Sequence, residues 1–174
     1  IEVTPQATTV EKIEQKLMYV DKDKKGDVLL HLLEQDNLKR VLIFTRTKHN
    51  ANKLCAKLKE ARISADAIHG NKSQSARTEA LANFKNGRTR VLVATDIAAR
   101  GIDIDDISHV INYDMPNEPE SYVHRIGRTA RAGAEGIAYS LCSADERDFV
   151  RAIEKLIRQT IPVMVHSLHS NAAQ

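Results

Sequence analysis

The chain has 174 residues, 42% of them hydrophobic and 28% charged, with 26 lysines and arginines against 23 aspartates and glutamates for a net charge of +3. That length fits one domain with a substantial core, and a charge so nearly balanced means that any basic site must come from clustering. Trp is absent and aromatics make up only 4%, which argues against a platform of exposed rings for stacking bases, and no apolar run nears the roughly 20 residues of a membrane span.

Residues 1–16 are polar and read as a connector, although Lys16 opens a short run, KLMYV, with the pattern of an edge strand. A helix is expected over 24–35, where Val28, Leu29, Leu32 and Leu33 share one face. VLIF at 41–44 is a strand covered on both sides, followed by a helix that turns Ala51, Leu54, Cys55, Leu58 and Ala61 inward. ADAI at 65–68 is a weaker strand, and Ser73 is the candidate N-cap of a helix lined by Ala76, Ala80, Leu81 and Phe84 that ends near Asn86-Gly87. VLVA at 91–94 and VINY at 110–113 are strands joined through a turn at 99–103. Pro119 suits the first turn of a short helix over 118–125. A last strand at 136–141 precedes a helix over 144–158 with Phe149, Val150, Ile153, Leu156 and Ile157 inward, and Pro162 closes that pattern before a loosely held tail. Strands alternating with helices imply crossover connections and a mainly parallel sheet flanked by helices on both faces. The loops 45–48, 69–72, 95–103 and 114–117 then gather at the carboxyl ends of the strands.

Cys55 and Cys142 lie far apart without metal-ligand spacing and read as small buried apolar groups in a reduced compartment. A cytoplasmic location is the expectation. Gly70-Asn71-Lys72-Ser73 lacks the glycines of a phosphate loop and reads as a turn plus helix cap. No dinucleotide fingerprint is present, and Asp103, Asp105 and Asp106 lack calcium-loop spacing. A self-sufficient nucleotide hydrolase is disfavoured. Arg125, Arg128 and Arg131 fall three apart, so on a helical turn they would project along one side. Such a face is either a solvated basic surface or a phosphate site, since a planar guanidinium suits bidentate phosphate contact; both readings stand on the residues alone. Thr95-Asp96 with Arg100-Gly101-Ile102-Asp103 forms a second polar group that could hold a phosphate or a ribose, or could simply cap a connection. Gln74 and Arg77 open a helix, where free N–H groups favour an anion, while Arg77 alone could equally be a surface charge.

Taken together these segments resemble the second RecA-like domain of DEAD-box RNA helicases of superfamily 2, across nearly the whole chain. VLIFTRTK at 41–48 resembles motif IV, and QSAR at 74–77 resembles the Q-x-x-R motif. ATDIAARGIDI at 94–104 resembles motif V, and HRIGRTARAG at 124–133 resembles motif VI. FTRTKHNAN and IHGNKSQ look most like the bacterial RhlE-like subgroup. One departure is Ala130, where many members carry Gly between Thr and Arg.

The resemblance implies a RecA-like three-layer domain over 17–161, with the connector before it and the tail, 162–174, after it. It implies that Arg128 and Arg131 are arginine fingers reaching the γ-phosphate of ATP, with Asp103 on the ribose. Arg46, Thr47, Gly70, Arg77 and Thr95 would hold the RNA sugar-phosphate backbone, and His124 and Arg125 would couple the domains. The partners implied are RNA and the N-terminal RecA-like domain of the same protein, which would hold Mg²⁺ beside the ATP. Because the phosphate loop and the D-E-A-D acids are not in this sequence, the chain alone is expected to lack ATPase activity and to be half of an enzyme cut from a longer protein. A DNA-directed superfamily 2 motor domain, or a non-enzymatic RNA- or protein-binding module, is the alternative.

Overall fold

The computed structural model describes residues 12–34, 38–100, 102, 104, 107–129 and 136–174. Its sheet has six strands: β1 (Ile13–Tyr19), β2 (Val41–Phe44), β3 (Ala65–Ile68), β4 (Val91–Ala94), β5 (His109–Asn112) and β6 (Gly136–Cys142). Their spatial order is β1-β6-β5-β2-β4-β3, and every pairing is parallel. The helices are α1 (Lys25–Leu33), α2 (Lys48–Glu60), α3 (Gln74–Lys85), α4 (Asp96–Ala99), α5 (Pro119–Ile126) and α6 (Arg147–Ile157).

A parallel strand buried on both faces sends alternate side chains to opposite sides, and two core layers result. Val41, Ile43, Val91, Val93 and Ile111 point to one layer, with α1 and α2 supplying Leu29, Leu32, Leu54 and Leu58. Leu42, Phe44, Leu92, Ala94 and Val110 point to the other, against Phe84 of α3, Tyr122 and Ile126 of α5 and Ile153 of α6. This is the RecA-like three-layer arrangement that the resemblance implies, and its sheet is the parallel one expected from the alternating pattern.

The differences are local. β1 begins at Ile13, not at Lys16, because its full length pairs with β6 from Ile13↔Gly136 to Tyr19↔Cys142. β5 starts one residue earlier than the run VINY, since His109 pairs with both Val41 and Ile137. Ala61 is exposed, because α2 ends at Glu60 and Ala61 is its C-cap. Leu156 is 37% exposed at the margin of the α6 face. Between β4 and the turn expected at 99–103, Asp96–Ala99 forms a one-turn helix, too short for periodicity to reveal. Beside β1 runs the chain after Pro162: Leu17 N–H donates to the Pro162 carbonyl at 2.8 Å, Met164 N–H to that of Leu17 at 2.8 Å and Ser170 N–H to that of Tyr19 at 2.9 Å.

Ser73 is the N-cap of α3, accepting from Ala76 N–H at 3.1 Å, and Gly87 follows that helix with φ +85°. Cys55 and Cys142 are both buried free thiols, and burial pushes the Cys142 thiol up to about 12. No helix among the described residues is long and apolar enough to cross a membrane.

Candidate nucleotide and nucleic-acid edge

Parallel strands deliver all their C-terminal ends to one edge. In spatial order these ends carry Ser143 and Glu146 (after β6), Asp114 (β5), Arg46 (β2), Thr95 and Asp96 (β4) and His69 and Gly70 (β3).

Arg125 does not project beside Arg128. It lies on the buried side of α5 and is 1% exposed. Its guanidinium grips Asp96 in a fork, Nε to Oδ1 at 2.7 Å and Nη2 to Oδ2 at 2.8 Å. Nη1 donates to the Asp114 carbonyl at 2.7 Å and to Asn112 Oδ1 at 3.2 Å, while the group sits 5.1 Å from the Phe44 ring centroid. One arginine therefore ties together the ends of β2, β4 and β5. A charge buried this deeply is tolerable only when it is paired and most of its donors are bonded, here four of five.

The expectation that the three arginines line one helical side fails at Gly127, where α5 gives way to a tight turn: Arg128 N–H bonds the Arg125 carbonyl at 3.3 Å and Thr129 N–H that of Ile126 at 3.2 Å. That turn redirects Arg128 along α4, and it donates from Nη1 to the Ile102 carbonyl at 2.7 Å and from Nη2 to that of Ala99 at 2.8 Å. Arg125 and Arg128 nonetheless border the same cleft of about 190 Å³, together with Asp96, Arg100 and His124. His124 is exposed at its rim. Asp103 and Arg131 lie outside the described residues.

A second charged hub centres on Glu146, 2% exposed, which the sequence reading missed. Its Oε1 accepts from Lys25 Nζ at 2.7 Å and from Ser143 Oγ at 3.1 Å; its Oε2 accepts from Arg46 Nη2 at 2.7 Å and Met115 N–H at 3.0 Å. Arg46 also donates to the Met115 carbonyl at 2.8 Å, and its backbone N–H to Asp114 Oδ2 at 2.9 Å. The expected RNA contact Arg46 is thus held in a fixed orientation with its side chain 40% exposed. Glu146 carries the capping-box signature with Ser143, a legible cue to a helix start but not to three loops converging on it.

At the ends of β2, β4 and β3 the other expected contacts have different surroundings. Thr47 caps α2, its hydroxyl accepting from Asn50 N–H at 3.1 Å. Thr95 is 9% exposed and precedes α4 with no side-chain cap bond. Gly70 is exposed, takes no positive φ, and a Cβ built on it would meet nothing within 4 Å. Nothing in the fold requires glycine there, which leaves room for close backbone approach by a ligand. Arg77 is half-buried on α3, and its Nε is buried without a hydrogen-bond partner. Beneath Gly70 the His69 ring is 2% exposed, and burial, followed by the charges of Lys72, Lys48 and Arg77, lowers its affinity for a proton. Among the described residues no group of three His, Cys, Asp or Glu side chains could hold a metal ion.

This geometry has close counterparts. The helicase conserved C-terminal domain family matches residues 24–133. The DEAD-box ATP-dependent RNA helicase CshA of Bacillus licheniformis is 42% identical over 164 residues, covering 94% of this chain and 34% of that protein. Escherichia coli DEAD-box protein SrmB, solved bound to regulator of ribonuclease activity A, superposes with a TM-score of 0.85 at 40% identity, over 91% of this chain and 94% of that one. Saccharomyces cerevisiae Dbp5 bound to RNA and ADP BeF3 superposes with a TM-score of 0.79 at 33% identity, over 88% of this chain and 41% of that one. The chain spans about a third of the length of the curated relatives it matches.

Proposed function

We propose that this chain, which belongs to the DEAD-box helicase family as its conserved C-terminal RecA-like domain, is the second motor domain of an ATP-dependent RNA helicase. The observation that supports the reading most is the shared edge: the cleft bordered by Arg128 and His124 and the Gly70 turn lie at the C-terminal ends of one parallel sheet. One face can then meet a nucleotide held by an N-terminal RecA-like domain and an RNA strand at once.

In this reading Arg128 and Arg131 stabilise charge developing on the γ-phosphate, and Asp103 contacts the ribose. Arg128 exchanges its bonds to the Ile102 and Ala99 carbonyls for a fork on phosphate oxygens, whose negative charge adds an attraction that a neutral carbonyl lacks. Mg²⁺ stays with the first domain. Arg125, with four of its five N–H groups bonded within the chain, couples the domains indirectly by setting the spacing of the β2, β4 and β5 ends, while His124, exposed at the cleft rim, touches the first domain. Arg46, Thr47, Gly70, Arg77 and Thr95 form the surface for the sugar-phosphate backbone, which carries no base preference. Closure of two domains on RNA, strand separation and reopening after hydrolysis complete the cycle.

The test is RNA-stimulated ATP turnover by the full-length protein, alongside the 174-residue chain alone. The full-length protein is expected to turn over ATP in the presence of RNA and far less with DNA, and the chain alone not at all. Arg128→Ala should lower turnover by about 10³-fold while the protein stays folded at the assay temperature. Near-normal turnover by a folded Arg128→Ala protein would remove the arginine-finger assignment.

A further inference from the structure

The Gly70 turn has almost no secondary structure to fix its position, being part of the five residues between β3 and α3. Its anchor is the ring of His69. Asn71 N–H donates to His69 Nδ1 at 3.2 Å, so that nitrogen carries a lone pair; the ring's hydrogen is then on Nε2, which lies 2.8 Å from Asn52 Oδ1 on α2. Both ring nitrogens are used, and together they pin the turn to α2. Lys48 Nζ adds a bond to Asn71 Oδ1 at 3.2 Å across the top.

We propose that His69 is the positioning residue of the RNA-facing Gly70 turn, and that a proton on its Nδ1 releases the turn and weakens RNA binding. The inference rests on the reading of Gly70 as a backbone contact for RNA. Its chemical content is that a protonated ring has two donors and no acceptor, so the Asn71 N–H loses its partner and faces another N–H. The charged groups facing the ring are all cationic: Lys72 on its own loop, Lys48 from α2 and Arg77 from α3, with neutral Asn52 beneath. They oppose the proton in the folded chain. The direction of the effect is diagnostic, because one more positive charge at this edge would by itself strengthen phosphate binding.

Two substitutions separate the two nitrogens. In His69→Asn the amide oxygen takes the place of Nδ1 and keeps the acceptor for Asn71 N–H. In His69→Gln the longer amide reaches the place of Nε2 and keeps only the bond to Asn52. Binding of a short single-stranded oligouridylate to the chain is measured across the histidine pH range, and the Gly70 and Asn71 amide resonances are followed in the same titration. His69→Asn is expected to bind within about twofold of the original at neutral pH, and His69→Gln roughly three- to tenfold more weakly, the loss of one net hydrogen bond. Relative to His69→Asn, the original chain should lose affinity as pH falls through the His69 titration, with the two amides shifting together. Equal losses in both variants, or an original chain whose affinity only rises on acidification, would overturn the assignment. If the chain binds no oligonucleotide, the same series is measured in the full-length protein, and absence of binding there too removes the RNA reading of this edge. The amides then decide the positioning role alone: tracking the ring supports it, and staying still refutes it.

Discussion

Asp96, the first residue of a one-turn helix after β4, and Arg125, on α5, form a two-pronged ion pair with both oxygens and two nitrogens engaged at 2.7 and 2.8 Å. The arginine is 1% exposed and the aspartate side chain 33%. The pair therefore joins a segment bordering solvent to the centre of the sheet edge, and sets where Ala99 and Arg128 stand.

Breaking this pair by Asp96→Ala strands a buried guanidinium and should cost about 3–5 kcal/mol. Urea denaturation of the chain measures it. A loss under about 1 kcal/mol would show that the pair behaves as a surface contact.

At Glu146 the same logic has a built-in control. Glu146→Ala leaves Lys25, 3% exposed, with Asp114 at 3.5 Å as its remaining ion-pair partner, and should destabilise the chain by about 3–5 kcal/mol. Replacing both partners with apolar residues, Lys25→Met with Glu146→Leu, should lose less than Glu146→Ala alone. A double variant that is worse than the single one would contradict desolvated charge as the origin of the cost.

Two glycines should behave in opposite ways. A Cβ at Gly136 would run into the Thr129 side chain, so Gly136→Ala should cost about 1–3 kcal/mol. Gly70→Ala enters open space and should change stability by no more than about 0.5 kcal/mol, yet weaken RNA binding if a strand approaches that backbone. Arg77→Ala should weaken binding evenly across sequences and reduce the salt slope by about one.

Stability should fall on mild acidification. His109, 3% exposed and stacked on Tyr139, is pushed below its ordinary value of 6.5 by burial and then by Lys16; His69 is shifted the same way. Where the folded value is lower, the unfolded chain takes up the proton first. The contribution is complete above 6.5 and is lost as pH falls through 6.5 toward the folded values. Urea unfolding at about pH 7.5 and pH 5.5 should show the loss, and His109→Leu should reduce it.

By itself the sequence determined the alternation of strands and helices and the bounds of three central strands. VLIF, ADAI and VLVA are β2, β3 and β4 to the residue; VLIF and VLVA are apolar throughout because they are buried on both faces and end where polar residues begin, while β3, at the sheet edge, carries the half-buried Asp66. The N-cap at Ser73, the start of α5 at Pro119 and the gathering of functional loops at one edge follow from equally local rules. The sequence could not decide which way each polar side chain faces once the loops meet. Arg125 and Arg128 are alike in type and spacing, yet one is buried against Asp96 and the other redirected along α4 by the turn at Gly127. Glu146 looks like a helix cap and becomes the meeting point of Lys25 and Arg46. His69 looks like a turn residue and proves to be pinned at both nitrogens. Each has at least one partner between 17 and 121 positions away along the chain, brought within bonding distance only when parallel strands align their ends. Periodicity reports burial of apolar surface, whereas the partner of a buried charge is chosen by tertiary proximity.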